Sequence, residues 1–226
     1  MKMTARAAGV LFLISTVAYL IGSGLMDSVL DRPDFLARLY PDRASVYAGL
    51  FLELINAMAV AGIAILLHPI LKQHNEAFAL GYFGSRILES ALLILSAIAP
   101  FLLVALSDNS NSADAATAGS PFAAIGDLLV EARSVLFEMA MIVLSLGSLL
   151  LCRILYRSRL VPRALSVIGF VGYAALLANS CLAILGQEIG PVLFVPGAIF
   201  EIVFPLWLIM KGLHHKEKII ENGGSS

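Results

Sequence analysis

Six separate stretches of the chain are long and apolar enough to cross a lipid bilayer, and this constrains everything else about the fold. A spanning helix needs about 20 mostly apolar residues. The qualifying stretches are 7–26, 45–71, 80–106, 125–151, 164–185 and 192–210. Backbone facing lipid must satisfy its own hydrogen bonds, so each stretch reads as a helix. Composition agrees: mean hydropathy is +0.90, and only 14% of residues are charged against roughly 25% in ordinary soluble domains. The predicted fold class is all-α, a polytopic six-helix membrane bundle over 1–215 followed by a short polar tail at 216–226.

Lysine and arginine set the expected orientation, because cytoplasmic loops carry the excess of both. Alternating the spans puts Lys2, Arg6, Lys72, Arg153, Arg157, Arg159, Arg163, Lys211, Lys216 and Lys218 on one side. Arg32, Arg38 and Arg43 fall on the other. Both termini are therefore expected in the cytoplasm. The first stretch has the basic start and small residues of a signal peptide (Gly22-Ser23-Gly24). Its length, and the five spans that follow, favour an uncleaved helix.

Between the first two spans, Phe35, Leu36, Leu39 and Tyr40 recur at helical spacing with prolines at 33 and 41. This predicts a short amphipathic helix lying at the membrane surface. The loop 107–120 is rich in Ser, Asn, Ala and Asp and reads as irregular. Cys152 and Cys181 fall toward opposite membrane faces, which argues against a disulfide and predicts two buried packing residues. His68 and His74, and the adjacent His214-His215, lack zinc spacing, so no metal and no cofactor are expected. A net charge of −1 without a long basic run leaves no footprint for nucleic acid. The basic 153–163 loop is expected to meet anionic lipid headgroups, and membrane lipids are the expected partners.

Several stretches resemble a bacterial family catalogued as domain of unknown function 4386. They are 4–14, 52–64, 68–82 and 156–163, the last reading Tyr156-Arg157-Ser158-Arg159-Leu160-Val161-Pro162-Arg163. A fifth begins Pro196-Gly197-Ala198 and continues to Trp207 and Lys211-Gly212. The resemblance implies a bacterial inner-membrane protein. It implies no established activity, so no catalytic residue carries over.

Chemistry, if any, must come from ionisable groups inside the spans, which are expensive there and face one another or a polar cavity. The candidates are Glu53, Asn56, Arg86, Glu89, Arg133, Glu138 and Glu201, with Asp127 and Glu131 near an outer end. Arg86 and Glu89 are three apart on one helix and can pair locally. Asn56 shares a face with Glu53, and Arg133 lies at a depth to reach Glu53 across helices. Four glutamates against two arginines leave surplus carboxylate for a shared proton or a bound cation. Pro205 removes the amide that would bond the Glu201 carbonyl, predicting a bend there. Pro69 and Pro100 are expected to matter less.

Three functions fit these residues. One is a non-enzymatic protein binding or transporting a small solute, lipid or ion. The second is an intramembrane enzyme using a buried carboxylate on a lipid-soluble substrate. The third is a non-catalytic membrane sensor or regulatory partner. All three place the costly polar groups on one common inner surface.

Overall fold

A computed structural model describes residues 2–32, 35–109, 121–187 and 195–213. Every regular element among them is a helix: α1 Lys2–Leu30, α2 Phe35–Leu39, α3 Arg43–Lys72, α4 Glu76–Ser96, α5 Ile98–Asn109, α6 Pro121–Ser158, α7 Arg163–Ile184 and α8 Val195–Met210. α1, α3, the α4–α5 pair, α6 and α7 are each long and apolar enough to cross a membrane. α8 has 16 residues, about 24 Å at 1.5 Å per residue, and the expected start of that stretch at 192 lies outside the described residues. The expected 216–226 tail, the 214–215 histidine pair and most of the 107–120 loop lie outside them too.

The long helices close into a ring in chain order, with α8 returning to pack on α1. Neighbours run antiparallel. Gly22 meets Gly49 between α1 and α3, Gly81 meets Leu150 between α4 and α6, and Gly172 meets Gly197 between α7 and α8. At the last crossing a Cβ on Gly172 would sit 2.5 Å from the Gly197 backbone nitrogen, so only glycine permits that approach. Small residues let membrane helices gain dispersion contact where no hydrophobic drive operates. The antiparallel order gathers Lys2, Arg6, Lys72, Arg153, Arg157, Arg159, Arg163 and Lys211 at one end of the ring, and Arg32, Arg38 and Arg43 at the other.

The packing is inverted relative to a water-soluble bundle. Met58, Phe51 and Leu20 are about two-thirds exposed, while Arg86, Glu89, Ser90, Ser145 and Ser148 are buried. An apolar rim around a polar interior suits a hydrocarbon solvent.

Helix ends follow ordinary capping chemistry. The Asn75 side chain accepts from the Phe78 amide at 2.8 Å and opens α4. α7 closes on Gly186 at φ 76°, with amides of Gly186 and Gln187 returning to Ala183 and Leu182, as in a Schellman motif. α6 is different: it closes on Arg159 at φ 56°, a backbone costing a non-glycine residue roughly 1–2 kcal/mol.

Four expectations need correction. The 80–106 stretch is interrupted at Ala97, because Pro100 cannot bond the Ser96 carbonyl and its ring crowds that turn. α8, by contrast, stays helical through Pro205. The short helix α2 presses its apolar face on the bundle, not on lipid as expected. Its Phe35, Leu36 and Leu39 are buried against Met26, Val29, Val46, Leu103 and Val104, making it a plug over the end of the ring expected to face outward. Ser107, expected to begin an irregular loop, is part of α5 and secures that plug. Its hydroxyl donates to the Leu36 carbonyl at 2.5 Å and accepts from the Tyr40 amide at 3.1 Å. Finally, Cys152 is buried but Cys181 is exposed, since the buried stripe of α7 runs through Leu176, Asn179 and Ser180 and leaves 181 beside it. Both thiols are free.

Candidate functional site

The polar residues gather inside the ring, but in two centres rather than on one surface. Phe12 and Tyr19 of α1 mark their levels, seven residues apart, which is about 10 Å along a helix.

The outer centre is built on α3. Glu53 accepts a two-pronged ion pair from Arg133 of α6, with Nη1 donating to Oε2 at 3.0 Å and Nη2 to Oε1. This pair crosses the ring, since α3 and α6 are not neighbours in it. One turn inward, Asn56 Oδ1 accepts from the Ser15 hydroxyl of α1 at 2.5 Å. The ring of Tyr19 stacks on Phe137 at 5.8 Å between centroids. Together Tyr19, Glu53, Asn56, Leu93, Ser96, Arg133 and Phe137 enclose a cavity of about 10 Å³, which is room for roughly one water molecule.

The inner centre is built on α4. Arg86 donates to Glu89 at 2.8 Å, both side chains buried. Around them stand Tyr82 and Phe12, over whose rings the guanidinium lies at 6.0 and 5.7 Å. The Tyr173 hydroxyl of α7 donates to Glu201 of α8 at a long 3.4 Å. The Phe12 ring under the guanidinium packs edge-on against Phe204, one turn of α8 from Glu201, so a single cation stands near two carboxyls. Phe200 and Phe204 stack against one another and Phe12 meets Phe204 edge-on, an aromatic wall along one side of this centre.

Of the residues singled out in the sequence, Glu53, Asn56 and Arg133 come together, as do Arg86, Glu89 and Glu201. Glu138 joins neither group in a hydrogen bond: its Oε2 is buried with no partner among the described residues. Asp127 and Glu131 border an open outer groove of about 500 Å³ with Asp31 and Arg32. Sequence reasoning missed Ser15, Tyr19 and Ser96 at the outer centre, and Tyr82 and Tyr173 at the inner one. Phe12, Ser15 and Tyr19 do fall on one helical face, which was the available signal for α1. Among the described residues no cluster of three His, Cys, Asp or Glu side chains is arranged to hold a metal ion.

The family described as domain of unknown function (DUF4386) matches residues 7–212, a range containing both centres. The chain belongs to this family. No curated protein and no solved structure matches it. As a DUF4386 protein it comes with no assigned reaction, and its function has to be read from the two polar centres.

Proposed function

We propose that this is a bacterial inner-membrane protein of six spans, both termini cytoplasmic, whose polar core binds a proton and performs no covalent chemistry. The observation that carries this is the trio Arg86, Glu89 and Glu201, one guanidinium among two carboxyls in a region closed by aromatic rings. Two carboxylates and one cation cannot all stay ionised in low dielectric without a further positive charge. A proton is the counter-charge that needs no room. α8 then counts as the sixth span, packed between α1 and α7, and the arginine- and lysine-rich end of the ring faces the cytoplasm.

The enclosed cavity lies at the outer centre, and its size favours an ion no larger than a water molecule over a solute or a lipid chain there. It likewise disfavours the enzyme reading, which requires a substrate held against two carboxyls at hydrogen-bond distance. A protonation change at Glu201 alters its hydrogen bond with Tyr173 and its attraction to the Arg86 charge, and so the α7–α8 contact. This is how a proton would be felt elsewhere in the bundle, whether the protein transports or senses it.

The test is proton uptake by the purified protein after a pH step in weakly buffered detergent. Glu201→Gln is expected to lower uptake by about one proton per chain while helix content and monodispersity persist. Unchanged uptake would defeat the proposal. Loss of folded protein in Glu201→Gln, Glu89→Gln and Arg86→Gln alike would assign the trio to helix locking instead.

A further inference from the structure

Charged groups that the polar core leaves unused are concentrated where α6 ends and α7 begins. Arg153, Arg157, Arg159 and Arg163 are all exposed, and none forms an ion pair among the described residues. Two are steadied by aromatic rings rather than by acids. Arg153 lies 5.6 Å over Phe78, and Arg163 lies 5.3 Å over Tyr156. Stacking of this kind orients a guanidinium while leaving its N–H groups open to a ligand. Leu160 and Val161 within the turn are buried, so the arginines project from a segment pinned to the bundle.

Arg159 adds a second, independent feature. Its φ of 56° is the conformation that helix C-termini ordinarily assign to glycine or asparagine. A strained, exposed arginine without an ion-pair partner among the described residues points to a use for its charge. Apolar sequence adjoins on both sides, 149–152 in α6 and 164–171 in α7, a placement expected of side chains at headgroup depth.

We propose that the α6–α7 turn binds the phosphate groups of anionic phospholipids, held by Arg157, Arg159 and Arg163. The planar guanidinium presents paired N–H donors that match phosphate oxygens, and an anionic leaflet concentrates such groups beside a basic turn.

The experiment follows thermal unfolding of the purified full chain in detergent with added phosphatidylglycerol, phosphatidylcholine or inorganic phosphate at equal concentration. Phosphatidylglycerol is expected to raise the midpoint by a few degrees, the other two not, and added salt should weaken the effect. The triple variant R157Q/R159Q/R163Q should lose the response, whereas K2Q/K211Q, altered at the same end of the bundle, should keep it. Arg159→Gly separates binding from folding: it should raise the midpoint in phosphatidylcholine by relieving the backbone, and shrink the phosphatidylglycerol response. An equal response to phosphatidylcholine, the same response to inorganic phosphate, or equal loss in K2Q/K211Q would overturn the proposal.

Discussion

Replacing Glu53 with methionine leaves the Arg133 guanidinium inside the ring with no counter-charge, and replacing Arg133 strands the carboxylate in the same way. Breaking a buried pair by removing one partner costs about 3–5 kcal/mol, whereas exchanging both for apolar groups of similar volume is often neutral or stabilising. The pair is bidentate, with 9% of the Glu53 side chain and 16% of the Arg133 side chain exposed. That residual exposure points to the low end, about 3 kcal/mol for each single variant. For a chain of this size the shift is roughly 2–4 °C per kcal/mol, so each single variant should melt roughly 6–12 °C lower. E53M/R133M should return to within about 1 kcal/mol of the parent. Thermal unfolding of all four proteins in one detergent closes the cycle. If the two single losses simply add in the double variant, Glu53 and Arg133 are not coupled, and the outer centre as described is wrong.

Other consequences are smaller and more local. Gly172→Ala drives a Cβ to within 2.5 Å of the Gly197 nitrogen and should destabilise by about 1–3 kcal/mol. Gly24→Ala, with nothing within 4 Å of its Cβ, should instead gain up to about 1 kcal/mol from helix propensity. The same unfolding assay reads both, and equal effects would refute the close α7–α8 crossing. Asn75→Ala removes the cap on the Phe78 amide and should cost about 1 kcal/mol, with faster amide exchange confined to the start of α4. Ser107→Ala frees the Leu36 carbonyl and Tyr40 amide, costing about 1 kcal/mol. Proteolysis at α2 should then accelerate while the rest of the bundle stays resistant.

Much of the fold was legible because the bilayer simplifies the code: long apolar runs are helices, and their ends are basic or acidic. The Arg86–Glu89 pair could be read from a spacing of three on one helix, and Glu53–Arg133 from matching depths. Glu201 was harder. Its partners Tyr173 and Arg86 sit on other helices, and periodicity does not say which helices adjoin around a ring. Tyr19 was passed over because a tyrosine within an apolar run looks like ordinary packing, and only the stack on Phe137 marks it. Two of the errors share one cause. Pattern alone cannot tell an apolar face pressed on lipid from one pressed on protein, so α2 was expected on the membrane surface and Cys181 inside.

The proton assigned to Arg86, Glu89 and Glu201 can be observed directly by infrared difference spectroscopy of the purified protein, through the C=O stretch of a protonated carboxylic acid shielded from exchange. A band present at neutral pH, abolished in Glu201→Gln and in Glu89→Gln and unaffected in Glu53→Gln, is the result this account predicts. A spectrum with no such band, or with one that survives in both Glu201→Gln and Glu89→Gln, would contradict it.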